Sequence, residues 1–244
     1  MVGAEEVAFV ARGERIALDR QTAAAVPFLE ALLADRVNTV KNEAGDPVID
    51  RDPVLVKAVV QYATSGHALH LFAKLPKTSS AKAMLTELDF FCLEPPPVHP
   101  MDDASFKQAL KDVKDEYEKM CRRGPVEKTR SANRFGARNA AAELAVGLET
   151  EKYDIAIGRI RHQLYNNVLF ILSHSRTFGP RLRHHVWAVA KSKVQFSPKQ
   201  HSELQSWVDT DDEDSSDGSD RSVSSASGEY CGSSDYSYCG YCSD

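Results

Sequence analysis

Cys231, Cys239 and Cys242 form the chain's clearest metal-ligand-like grouping, a C-x7-C-x2-C spacing near its end. Two thiolates so placed can grip a soft ion, but a structural zinc site needs four ligands on a folded frame. The nearest imidazole, His201, lies thirty residues before Cys231. Free thiols among tyrosines are the expectation, and no metal or cofactor is assigned. Cys92 and Cys121 stand far from these three, and five is an odd count. That is no disulfide framework, which points to a reducing compartment, cytoplasmic and open to the nucleus as well. The chain has no GxSxG, no glycine-rich phosphate loop and no HExxH. Acidic neighbours such as Asp115-Glu116 do not face one another on a helix. No catalytic residue is nominated, and a non-enzymatic role is expected.

The second chemical signal is charge. From Ile155 to Ser202 there is not one acid, while Arg159, Arg161, Arg176, Arg181, Arg183, Lys191, Lys193 and Lys199 supply eight positive charges. Five of the eight histidines lie there too. Such a stretch, with Arg159, Arg161, Arg181, Arg183, Lys191 and Lys193 as candidate anion contacts, suits nucleic acid, anionic lipid or an acidic protein. It equally suits the chain's own end: residues 209–244 hold ten acids and one base, so the net charge of −5 hides a basic body and an acidic tail. Self-masking or plain solvation is favoured over nucleic acid, because no aromatic platform is interleaved with the charges. Thr210 with Glu213, and Ser206 with Asp209, fit an acid-directed kinase.

The elements that must carry these residues fall into four stretches. Hydrophobic residues at 42% and charged ones at 27% allow a globular core. Residues 5–94 alternate short apolar runs with turn signals, 95–101 are a proline-rich break, 102–207 are helical in pattern, and 208–244 are acidic and serine-rich. That last stretch cannot bury enough apolar surface to offset its ordering entropy, so disorder is expected. The N-terminus carries two acids where a secretory signal would be basic, and the run Val168 to Leu172 is far short of the ~20 residues of a span. No membrane span and no channel pore are expected. No internal repeat is visible.

Within 5–94, Val7 to Ala11 and Arg15 to Leu18 read as strands around Gly13, and Asp19 stands where an N-cap would. Phe28, Leu29, Leu32 and Leu33 make a helical face. A second hairpin is expected from Val37 to Lys41 and Pro47 to Asp50. Asp52 and Pro53 start a strong helix with Val56, Val59, Val60 and Ala63 inside, ending at Gly66. Thr78-Ser79-Ser80 opens another, on which Met84, Leu85, Leu88, Phe91 and Cys92 recur at helical spacing. Farther on, Phe106, Leu110, Val113, Tyr117 and Met120 form a two-heptad seam that suits a short bundle of copies or one amphipathic helix packed on its own domain. Tyr153, Ile157, Ile160, Leu164, Val168 and Ile171 follow helical spacing, and Val186 to Ala190 fits either a strand or a helix turn.

Three stretches of this α+β pattern resemble the potassium-channel tetramerisation type of BTB/POZ domain. They are Gly13-Glu14-Arg15-Ile16 with Phe28 to Leu33; Ile49-Asp50-Arg51-Asp52-Pro53 with Val59 to Gly66; and Leu85 to Leu93, close to the family's "EADFFGL". The resemblance covers residues 5–94. Three departures stand out: the family's double-glycine turn reads Ala11-Arg12-Gly13-Glu14, Cys92 replaces a usual glycine, and the loop Leu71 to Ser80 is unusual. The resemblance implies a ring of four or five copies joined by polar side-to-side contacts, with Asp50, Arg51 and Asp52 as the candidate interface set. Channel-type relatives carry a zinc site at subunit contacts, but Cys92 stands alone and none is expected here. By analogy with soluble members the chain is a scaffold, with a substrate-adaptor role for a cullin-RING ubiquitin ligase as its leading specific form. A nucleic-acid- or chromatin-associated regulator using 155–202 is the alternative.

Overall fold

The computed structural model describes residues 6–98 and 129–209, together with Lys111 and Asp115; for 129–133 it describes backbone alone. The architecture is α+β, a small sheet with many helices. Strand β1 (Glu6–Ala11) and β2 (Glu14–Asp19) form an antiparallel hairpin. Its two turn residues, Arg12 and Gly13, have φ of 43° and 85°, the left-handed pair that matches the twist of the flanking strands. Short helices α1 (Arg20–Ala24) and α2 (Pro27–Leu33) follow, and Asp19 caps α1 by accepting from the Thr22 amide at 2.8 Å. The chain then crosses over to β3 (Val48–Ile49), which lies parallel to β1, so the sheet order is β2-β1-β3.

The expected second hairpin shrinks to a single bridge between Lys41 and Pro47, with the Val48 amide donating to the Val40 carbonyl. The reason is competition: Pro47 and Ile49 spend their carbonyls on Val10 and Arg12 of the first hairpin. Proline offers no donor in return, and Val40 is left 76% exposed.

Helix α3 (Pro53–Ser65) begins and ends as its sequence dictates. The Asp52 side chain accepts from the Val54 amide, Pro53 occupies the first turn, and Gly66 closes the helix at φ 71°. A short helix α4 (Leu69–Phe72) follows, then α5 (Ala81–Phe90), capped by Ser80. Cys92 ends α5 at φ 57°, with its amide on the Asp89 carbonyl and the Leu93 amide on that of Leu88. This pair of bonds demands a left-handed residue, the conformation in which glycine is best tolerated.

The second half is all helical among the described residues: α6 (Thr129–Glu149), α7 (Gly158–Ser173), α8 (Ser175–Phe178), α9 (Pro180–Lys193) and α10 (Pro198–Asp209). Tyr153 and Ile157 precede α7 rather than lying in it, and Val186 to Ala190 is the middle of α9. Helix α6 is apolar nearly all round from Ala140 to Leu148, which marks a central helix rather than a surface one. It packs on α4, α5, α8 and α9, so the buried side chains of both halves form one continuous core. Polar contacts fasten the same seam. The Asn139 side chain accepts from the Leu69 amide at 3.1 Å, and buried His185 meets the Leu75 carbonyl at 3.2 Å. The proline-rich break is a boundary in the chain but not in the core, since Pro96 is buried and Val98 packs against it.

Cys92→Gly relieves a left-handed residue that carries a Cβ, a strain of about 1 kcal/mol. The variant should therefore melt roughly 2–4 °C higher in a thermal scan. An unchanged or lower midpoint would show that the Cys92 side chain earns its place.

Candidate functional site

The residues nominated as an interface set converge where β3 runs into α3, beside the tip of the first hairpin and the C-terminal part of α5. Each does something different. Asp50 accepts from Arg12 Nε at 2.8 Å, with its side chain 90% exposed. That hydrogen bond and charge hold the Asp50 carboxyl below the usual carboxylate range and push the Arg12 guanidinium up. Asp52 is turned to α3, where it caps the first turn. Arg51 lies over the Phe90 ring, 3.7 Å from its centroid, with Nη1 3.4 Å from Glu87 Oε1. Of the three, then, Asp50 is the outward-facing side chain, while Arg51 and Asp52 hold the corner together.

Phe90 is fixed in turn by an aromatic trio. Phe28 lies 4.7 Å from Phe90 and 5.6 Å from Phe91, and those two rings are 5.1 Å apart. The tilted and edge-on arrangements are those that aromatic quadrupoles prefer. The guanidinium above Phe90 gains a cation–π contact as well as its carboxylate partner.

Glu87 completes the corner and was not among the nominated residues. It is buried, one carboxylate oxygen faces Arg51, and the other, Oε2, finds no donor among the described residues. Burial pushes its pKa up, and the charge and hydrogen bond of Arg51 offset that only in part. The signal was present in the sequence: Glu87 sits three residues after Met84 and four before Phe91, on the apolar stripe of α5.

Along the hairpin end and its neighbours, further opposite charges face each other. Arg15 pairs with Asp46 at 3.0 Å and lies 3.8 Å from Glu6, and Lys57 pairs with Glu14. With Arg12 and Asp50 they make a set of polar contacts that spans the sheet, from Glu14 and Arg15 on β2 to Asp46 and Asp50 on either side of β3, the opposite edge. Charged side chains on an edge discourage strand-on-strand addition.

The basic candidates differ in exposure and in partners. Arg159 and Arg161 are exposed at the start of α7, Arg181 at the start of α9 and Lys191 towards its end. Lys193 is engaged by Glu151 at 3.2 Å and Glu149 at 3.9 Å. Arg183, expected as an anion contact, is instead 2% exposed and donates to the Trp207 carbonyl. It falls on the buried side of α9 with Val186, Trp187 and Ala190, and its guanidinium satisfies a carbonyl of α10. Ser206 is exposed on α10, its hydroxyl donating to the Glu203 carbonyl at 2.7 Å. Thr210, the cysteines 231, 239 and 242, Cys121 and the apolar seam from Phe106 to Met120 lie outside the described residues. Among the described residues no cluster of three or more His, Cys, Asp or Glu is placed to hold a metal, and no helix is long and apolar enough to cross a membrane.

No protein-family model, curated protein or solved structure matches the chain.

Glu87→Gln keeps the shape of the corner without burying a charge. Because the folded pKa of Glu87 is raised, its ionisation weakens the fold as pH rises through that value. The variant should be about 1 kcal/mol more stable than the parent at pH 7.5. The gain should vanish at low pH, where the parent carboxyl is itself protonated. Urea unfolding at the two pH values reads both; a loss of stability at pH 7.5 would mean that the Arg51 pair outweighs the burial cost.

Proposed function

We propose that the chain is a BTB/POZ-type assembly platform, non-enzymatic, that brings several copies of itself together through the charged residues at the hairpin tip and around the sheet, and displays its helical half to partners. The observation that carries this reading is the outward row of charges: Arg12 with Asp50, Arg15 with Asp46 and Glu6, and Lys57 with Glu14. Exposed ion pairs contribute little to the stability of a single chain. They become specific when a neighbouring copy offers the complementary row and water is displaced, because charges then fix register and reject wrong partners. Asp50, with most of its side chain in solvent, is the leading contact.

Two backbone positions support the family reading. The residues that depart from the family's glycines, Arg12 and Cys92, both have left-handed φ, 43° and 57°. A glycine is what that backbone would favour at each, so the departures fall on geometry that the resemblance leads one to expect. Within this reading the more specific role is that of substrate adaptor for a cullin-RING ubiquitin ligase, and it rests on the resemblance alone.

One observation favours a second reading. Arg159, Arg161, Arg176, Arg181, Lys191 and Lys199 make no ion pair among the described residues, in a stretch that has no acid of its own. A regulator that binds nucleic acid through these residues would bind without sequence preference and lose affinity steeply with salt. That affinity would rise on deletion of residues 209–244.

Light-scattering mass of the full chain at several concentrations tests the platform. The expected result is a fixed mass of four or five chains, lowered by Asp50→Lys or Arg12→Glu, together with capture of a purified cullin that does not depend on residues 209–244. A monomer at every concentration would rule the assembly role out, whatever the fold.

A further inference from the structure

Arg138 is the residue of the second half that the fold leaves least explained. It projects from α6 into a cavity of about 310 Å3 between α4 and the joint of α8 with α9. Among the described residues its buried Nε finds no acceptor and the guanidinium makes no ion pair. Buried arginine donors are ordinarily matched by a carboxylate, a carbonyl or a bound anion. The other charged residue lining the cavity is also an arginine, Arg181, which is exposed at its rim. Two cations therefore share one hollow, and no acid among the described residues lines it.

Arg138 reaches the backbone of Gly179. Gly179 joins α8 to α9 at φ 70° and ψ 158°, a conformation close to glycine-only. A Cβ there would lie 2.9 Å from Arg138 Nη2. Glycine thus admits the guanidinium to the cavity wall beside the first turn of α9. That turn has no side-chain cap, and since Pro180 has no N–H and the Arg183 amide donates to the Gly179 carbonyl, the amides of Arg181 and Leu182 are the ones without an intrahelical acceptor. Phe178 and Leu182 supply apolar wall, which lowers the local dielectric and strengthens charge pairing within.

We propose that this cavity binds a phosphomonoester group, held by the Arg138 fork from one side and by Arg181 from the rim. A tetrahedral dianion suits these partners better than a carboxylate does, since it offers three acceptor oxygens to two separate guanidinium groups. The first-turn amides of α9 add to the same field. The volume accommodates a phosphate with a short organic stem. The group can arrive on a phosphorylated hydroxyl side chain or as free phosphate, and the chemistry of capture is the same. This site shares no residue with the charged pairs around the sheet.

Calorimetric titration of the full chain with inorganic phosphate and with O-phospho-L-serine, each at neutral pH and physiological salt, tests it. Saturable binding of one group per chain is expected, weakened about tenfold or more by Arg138→Gln and likewise by Arg181→Gln. Arg181 is exposed, so its variant keeps the fold and remains informative if Arg138→Gln does not fold; circular dichroism checks this. Tighter binding of O-phospho-L-serine than of phosphate assigns the site to phosphorylated side chains, and equal binding assigns it to the free ion. The proposal is overturned if neither probe saturates by about 10 mM, the weak end of specific binding, or if Arg181→Gln binds as the parent does.

Discussion

Close approach to α6 is the constraint on which the rest of the molecule depends. From Ala137 to Leu148 its buried positions are mostly alanine, with leucine and valine between. Small side chains let several helices come near one axis, and α4, α5, α8 and α9 all do so. The tightest point is Gly147, where a Cβ would lie 2.6 Å from atoms of both Tyr153 and Val98. Neither neighbour could stay in place if that position carried a side chain, because a packed core has few voids into which either could retreat. The chain after α5 and the chain before α7 thus meet on one glycine. That contact ties the sheet-bearing half to the helical half.

The consequence for function is geometric. A sheet with a charged edge is carried by a core that continues into α6 and α9, so whatever is docked on one half is held at a set distance from the other. The corner of Arg51, Glu87 and Phe90 belongs to the same logic. It couples β3 and the start of α3 to α5 through a guanidinium that stacks and pairs at once. It leaves Asp50 facing out, and the arginine that positions Asp50 stands at the tip of the hairpin. Local strain at Arg12 is therefore coupled to the presentation of the charged face.

Much of the first half was legible because local chemistry decides it. Asp52-Pro53 and Gly66 mark α3 at both ends, Ser80 marks α5, and alternating residues around Gly13 mark the hairpin. The second hairpin was over-read because proximity in sequence suggested pairing across the 42–46 turn, whereas β3 finds its main partner in β1. Helix α6 escaped notice since alanine is indifferent on a polarity scale, and its burial is set by which neighbours come close, something no periodicity contains. At the sites the division is similar. Asp52 as a cap was readable from its neighbours. Arg183 as a buried residue was not, because its role depends on a carbonyl of α10 that the fold delivers. Arg138 was missed for the same reason: its cavity is made by α4, α6 and the α8–α9 joint, three stretches distant in sequence.

Hydrogen exchange on the full chain, followed by mass across a series of urea concentrations, tests the single shared core most directly. Amides of α3, from Val56 to Tyr62, and of α6, from Ala140 to Leu148, are the ones to compare. If the core is continuous, both sets open with the same free energy and the same urea dependence, as one cooperative unit. If α6 exchanges through an opening that leaves α3 protected, the two halves are separate folding units and the constraint at Gly147 does not join them.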